Sequence, residues 1–392
     1  MAQFTQSRAK GKSQKPKKPY VDFPLFAHAT GRWAKKIRGK FVYFGPWSDP
    51  DAALEKYLAE KDYLHAGKTP PVVRDGLTVK DLCNRFLTSK KRLLDNSELS
   101  PRSFKDYVST CDRMLRNSSF RFDPLVEDLV ADDFAKLREK LSSTLGPVAL
   151  GNEVQRIRTI FKYGFETGLL DKPVRFGPEF KKPSRKVIRQ VRNANGPRMF
   201  EADELRIIVE AAKHPLKAMI YLGINCGFGQ SDIGSLPMSA IDLEQGWIDY
   251  PRPKTAVMRR IPLWPETVEA IRDAIQVRKT HADKADSDIS FITSHGKRWA
   301  RTSKTGSPID NVSKEFTKLL KRLNLKRDKV NFYALRHTFE TIGGESRDQV
   351  ATNAIMGHVD QSMAGAYRER ISDERLRNVV DVVHNWLFGD GN

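Results

Sequence analysis

Apolar residues recur at helical spacing through most of the chain. Val79, Leu82, Cys83, Phe86 and Leu87 predict a helix over Val79–Leu93. Ser100 and Pro101 suit the cap and first turn of another, which carries Phe104, Tyr107, Val108, Cys111, Met114 and Leu115. Val130–Leu141 and Pro147–Thr167 follow, the second with Val154, Ile157, Ile160, Phe161 and Tyr163 on one side. Arg156, Arg158 and Lys162 fall on its polar side, as a phosphate contact or as a solvated face. Further on, Phe200–Ala212, Pro215–Asn225, Ala334–Phe339 and Gln349–Met356 read as helices, the last stopped by Gly357. Glu374–Leu387 is amphipathic.

Strand-like spacing appears in two places. Trp33–Ile37 and Lys40–Phe44 flank the turn signal Arg38-Gly39, and a helix over Asp51–Leu64 follows. Gly246–Tyr250 and Arg259–Leu263 read as a hairpin joined by Pro251–Met258. The predicted fold is therefore mainly α with small β-sheets, an α+β chain.

Breaks in the pattern divide it. Residues 1–19 are Lys-rich without apolar period and read as a disordered basic tail. Residues 20–68 form a small α+β module, and Lys68–Pro71 a linker. Residues 76–180 form a helical domain. The stretch 181–197, rich in Lys and Arg and holding no acid, reads as a basic linker, and 198–392 as the last domain. At 392 residues the chain has room for two or three cores.

Charge narrows the function. The net charge is +20 and the pI near 9.8, which favours a polyanionic partner, most often nucleic acid. No apolar run approaches the roughly 20 residues that cross a bilayer, and no secretory signal opens the chain, so no membrane role and a cytoplasmic, nucleoid-associated location are expected. The three cysteines, Cys83, Cys111 and Cys226, lack metal-like spacing and read as reduced thiols. No structural metal is expected.

The candidate chemistry lies in Val330–Asn378. Tyr333 and Arg336 are three apart and share a helix face. Arg336-His337 is followed by Gly357-His358, and Tyr367 comes nine residues after His358. Arginine grips phosphate oxygens through its planar fork, and a tyrosine oxygen serves as a covalent nucleophile. This ordered set resembles the tyrosine recombinases, the phage-integrase-like site-specific recombinases. Pro253-Lys254-Thr255 and Arg259-Arg260-Ile261-Pro262-Leu263 are similar to the family's Gly-Lys-Thr turn and Arg-Arg-x-Pro-Leu strand.

The resemblance implies a multidomain DNA clamp: a helical core-binding domain at 76–180 and a tyrosine-recombinase-like catalytic domain at 198–392. It weakly extends to 20–68 as an N-terminal DNA-binding module. It implies site-specific DNA recombination by a mobile-element integrase. The partner would be double-stranded DNA with inverted half-sites, bound by a homotetramer. Tyr367 would form a 3′-phosphotyrosyl bond, Arg336 and His358 would stabilise the phosphorus, Lys254 would protonate the leaving oxygen, and no cofactor would be needed. The C-terminal helix would dock in cis or on a neighbour.

Two positions depart from the family pattern. Its Thr-Gly-x-Arg-x-x-Glu motif lies at Cys226-Gly227-Phe228-Gly229-Gln230-Ser231-Asp232, so the first catalytic arginine is Gly229. The first residue of its His-x-x-Arg motif is Tyr333. Arg252, Arg259 and Arg301 are candidates to replace the missing phosphate contact. The alternative reading is a sequence-specific DNA-binding protein with degenerate recombinase chemistry.

Overall fold

The computed structural model describes residues 15–67, 76–117, 120, 123–303 and 306–389. Residues 1–14 of the expected tail and the linker at 68–71 lie outside them. The chain divides into two compact units, 1–76 and 77–392.

In the first unit three antiparallel strands run β1 (Phe26–His28), β2 (Arg32–Ile37) and β3 (Lys40–Pro46), in that order across the sheet. Arg38 and Gly39 take positive φ at the β2–β3 turn. Helix α1 (Pro50–His65) starts where the Asp49 carboxylate accepts the Ala52 N–H. Phe23, Leu25, Trp33, Ile37, Phe44, Ala53 and Tyr57 fill the core between sheet and helix. β1 carries no run long enough to announce a strand. Residues 15–19 belong to this module rather than to a tail, since Lys18 Nζ donates to Phe23 O.

The second unit opens with α2 (Val79–Asp95), α3 (Pro101–Leu115), α4 (Ala131–Ser142) and α5 (Pro147–Glu166) around one apolar core. Ser100 Oγ accepts the Ser103 N–H, the expected cap. The arginines on the polar side of α5 are tied inward. Arg156 pairs with Glu153 and Asp106, and Arg158 donates to Phe180 O with its guanidinium over the Phe176 ring. Lys162 pairs with Glu166. Arg156 is held inward by Glu153, which is only 2% exposed and needs cationic partners.

The stretch read as a linker contains a helix, α6 (Arg185–Ala194), capped by Ser184 and with no buried residue. Lys and Arg are good helix formers, so charge alone did not exclude one.

The remainder is built on α7 (Ala202–Ala211), α8 (Leu216–Asn225) and the short α9 (Gln230–Gly234). A three-stranded antiparallel sheet follows: β4 (Ile241–Asp242), β5 (Trp247–Asp249) and β6 (Arg260–Pro262), adding one strand to the expected hairpin. Then come α10 (Pro265–Gln276), the pair β7 (Ala300–Thr302) and β8 (Pro308–Asp310), and α11 (Asn311–Arg322). The chain continues through α12 (Ala334–Gly343), α13 (Gln349–Met356), α14 (Met363–Ala366) and α15 (Asp373–Phe388). The mostly apolar α8 lies at the centre, packed on α10 and α12. α15 docks in cis: Leu376, Val379, Val380, Val383 and Leu387 enter the same core, and Trp264 Nε1 donates to Val380 O. Among the described residues no helix is long and apolar enough to cross a membrane.

Candidate functional site

The site is assembled around Gly357. This residue ends α13 with φ of 64°, a left-handed turn that glycine adopts without strain. Space also requires glycine. A β-carbon here would lie 2.9 Å from Arg252 Cβ and Cδ and 2.9 Å from Arg259 Cδ. Arg252 Nη1 donates to Gly357 O at 3.2 Å and Thr255 Oγ1 to the same oxygen at 3.0 Å. The β5–β6 connection is thereby fastened to the end of α13.

Arg336 lies on the first turn of α12 and is 2% exposed. Its Nη1 donates to Gly227 O, and its Nη2 donates to Met356 O at 2.7 Å and meets His358 Nε2 at 3.1 Å. These bonds fix the plane of the guanidinium. Burial, then the charges of Arg252 and Arg259, lower its pKa against the opposing pull of Tyr333 and Asp232. A guanidinium still remains charged.

The tautomer of His358 follows from its neighbours. Gln349 Nε2 donates to Asn353 Oδ1 at 3.1 Å, so that oxygen is an acceptor. His358 Nδ1, 3.1 Å from the same oxygen, must then donate. Nε2 is left to accept from Arg336, and the ring is neutral. The direction of its pKa agrees. Burial lowers it first, then Arg336, with Glu340 opposing and Arg252 adding to the fall. Glu340 closes the chain by accepting from Gln349 Nε2 at 3.1 Å.

Gly229 lies in extended backbone before α9, and its N–H donates to Asp232 Oδ2 at 2.9 Å. Asp232 Oδ1 pairs with Arg259 Nη2 at 3.1 Å. Arg259 is 1% exposed, donates from Nε to Tyr250 O, and lies 4.4 Å from the Phe228 ring centroid. Burial lowers its pKa and Asp232 counters the fall. Tyr333 is 39% exposed, stands edge-on to His337 and lies against Gly229.

The structure therefore brings Arg336, His358, Arg252 and Arg259 together, with Tyr333 beside them. Tyr367, Lys254 and Arg301 make no hydrogen bond or ion pair with Arg336 or His358 among the described residues. Lys254 is exposed on the turn fastened to Gly357. Arg301, in β7, donates from Nη1 to Arg298 O. Tyr367 is 79% exposed at the end of α14. Its segment is held by its own contacts: Arg368 pairs with Asp360, and Gly365 is pressed onto Asp360. The Ser362 hydroxyl and N–H, with Arg368, bring the Asp360 carboxyl down to about 2. A cleft of about 480 Å³ lies between this segment and the body, lined by Met258, Arg259, His358, Val359 and Arg368 among others.

The sequence reading missed Asn353, Gln349 and Thr255. A polar pair four apart on α13, ending five residues before His358, was the available signal for the first two.

The chain is similar to known proteins in sequence and in fold. The profile of the phage integrase family matches residues 198–373. Tyrosine recombinase XerC of Alcanivorax borkumensis is 24% identical over 249 residues, 60% of this chain and 74% of that protein. Among solved structures, a lambda integrase tetramer bound to a Holliday junction aligns with a TM-score of 0.54 at 17% identity, covering 90% of this chain and 98% of that one. The Tn1549 transposon integrase in complex with a circular intermediate DNA aligns at 0.53 and 16%, covering 78% and 99%.

Proposed function

We propose that this chain, a tyrosine recombinase of the phage integrase family, performs site-specific DNA recombination through a covalent phosphotyrosyl intermediate. The observation that carries the reading is the Arg336–His358 pair, Arg336 on α12 and His358 just past the end of α13, with Tyr367 exposed nine residues further on.

The chemistry follows from the residues. Tyr367 Oη, which loses its proton to the solvent that reaches it, attacks the scissile phosphorus and forms a P–O bond to the phosphate that stays on the 3′ side. The bond to the 5′-oxygen breaks, and Lys254 gives that oxygen its proton. Charge grows on the nonbridging oxygens, where the preorganised Arg336 guanidinium stabilises it. His358 acts as a positioning residue: its Nε2 accepts from Arg336, and Asn353 fixes its tautomer. Tyr333 borders the site as a hydroxyl donor or acceptor in place of the family's histidine. The phosphotyrosyl bond keeps the energy of the broken phosphodiester, so a 5′-hydroxyl from a second strand reverses the step.

The substrate in this reading is duplex DNA with inverted half-sites, exchanged within a tetramer, as expected for the integrase of a mobile element. The net charge of +20 supports a polyanion. The outer face of the N-terminal sheet, where Phe26, His28, Phe41 and Tyr43 cluster beside Lys36, serves as a second DNA contact.

The test is covalent capture. The full chain is incubated with a pool of nicked duplexes of randomised sequence, denatured, and probed for DNA-linked protein. A discrete set of linked sequences is expected. Tight, sequence-specific binding without any linked product would favour a DNA-binding protein lacking the chemistry.

A further inference from the structure

A phosphorane needs more than one oriented cation, and Gly229 supplies none. The geometry points to Arg252 as the second guanidinium that binds the scissile phosphate, entering from the β5–β6 connection instead of from the turn before α9. This deepens the recombinase reading, and its cleavage arm rests on it.

Three arginines compete for the role, and their partners separate them. Arg259 is sealed in the interior between Asp232, Tyr250 O and the Phe228 ring. Arg301 is anchored within β7, where its Nη1 donates to Arg298 O. Arg252 is half-buried, has no ion pair among the described residues, and makes one side-chain hydrogen bond, from Nη1 to Gly357 O. Its remaining N–H groups are available to a ligand.

Its root is fixed. Arg252 N donates to Val257 O at 2.8 Å, and Ala256 N donates to Arg252 O at 2.8 Å, closing a tight turn. Its stem presses on Gly357, so the guanidinium is held beside His358. Arg336 binds the carbonyl of Met356 and Arg252 that of Gly357. Two guanidinium groups thus grip consecutive peptide oxygens. Their like charges act on each other: Arg252 lowers the pKa of both Arg336 and His358. Cations held together without a carboxylate between them leave an anion as the missing partner. Of the carboxylates that act on this cluster, Asp232 is already taken by Arg259 and by Gly229 N, and Glu340 accepts from Gln349 Nε2. A phosphate with two or three nonbridging oxygens matches two forked donors.

The experiment has two arms on the full chain. In the first, inorganic phosphate is titrated at constant ionic strength into wild type, Arg252→Ala, Arg252→Lys and Arg272→Ala. Arg272 pairs with Glu244 on the surface and serves as the control. Affinity is expected to fall about tenfold in Arg252→Ala, as when a charged hydrogen-bond partner is removed, and less in Arg252→Lys. In the second arm, a duplex captured covalently by wild type is used for single-turnover cleavage. Arg252→Ala is expected to be slower by about 10²–10³, with Arg252→Lys between. Unchanged phosphate affinity in Arg252→Ala overturns the assignment even if cleavage slows, since Arg252 would then only brace Gly357. Cleavage at the wild-type rate in Arg252→Ala overturns it as well. If wild type yields no covalent product while Arg252→Ala still loses phosphate affinity, the recombinase reading fails and the anion site stands.

Discussion

The ring of Tyr333 lies against Gly229: a β-carbon on Gly229 would sit 3.3 Å from Tyr333 Cε2 and 3.4 Å from Cδ2. The two departures from the family pattern are therefore one packing arrangement. A residue without a side chain stands opposite a ring larger than imidazole. Backbone conformation does not demand glycine here, because Gly229 has φ of −93° and ψ of 174°, open to any residue. What a side chain here would crowd is the Tyr333 ring, with the cationic cluster beyond it.

Restoring the family arginine alone is expected to harm. Gly229→Arg crowds Tyr333 and adds a positive charge near Arg336, Arg252 and Arg259. A loss of about 1–3 kcal/mol is expected from overpacking, with no gain in cleavage rate. Adding Tyr333→His should recover part of the loss, giving a coupling above about 0.5 kcal/mol in a double-mutant cycle by urea denaturation. Strict additivity would show that the ring and the glycine are independent.

Tyr367→Phe is expected to abolish the covalent adduct while leaving stability within about 0.5 kcal/mol, as for other exposed positions. DNA binding should be unchanged. An adduct that survives this substitution would identify another nucleophile, and peptide mapping of the DNA-linked fragment would name it.

Acid should weaken the site through His358. Its folded pKa is depressed by burial and by Arg336 and Arg252, so the unfolded chain binds the proton more readily. Stability from this group is complete above about 6.5, the ordinary histidine value, and is lost as pH falls through the folded pKa. His337, depressed by burial and by Arg198 and Arg192, contributes with the same sign. The fall in stability below pH 6.5 should be shallower in His358→Gln than in wild type, and shallower again in the double variant with His337→Gln. Asn353→Asp places a carboxylate at Nδ1 and should raise the His358 pKa, readable by NMR. A ring that titrates identically in both backgrounds would contradict the assigned tautomer network.

Glu153 organises the helical domain, accepting from Thr110, Arg113 and Arg156 while nearly inaccessible. Glu153→Ala is expected to cost about 1–3 kcal/mol, measured by thermal or chemical denaturation. Arg156→Ala should also destabilise. Because Arg156 is spent on Glu153 and Asp106, it should leave the salt dependence of DNA affinity unchanged. A slope reduced by about 0.9 would mean that Arg156 neutralises a phosphate after all.

Much of this protein is determined by sequence alone. Helices α2 to α5 were legible because apolar residues every three or four positions, with Ser100 and Pro101 as a cap, encode them locally. The order Arg336, His358, Tyr367 was legible because the candidate nucleophile and the candidate phosphate ligands fall within one short stretch of chain. Local periodicity could not reveal β1, β4, β7 or β8, which have two or three residues each, too few to show an alternation. Nor could it separate Arg252 from Arg259, seven residues apart on the same hairpin. The tertiary structure decides that by burying one against Asp232 and Phe228 and pressing the other onto Gly357. Charge and hydrogen-bonding capacity belong to the residue, but which partner satisfies them depends on contacts between residues a hundred positions apart. The helical repeat carries no information about those.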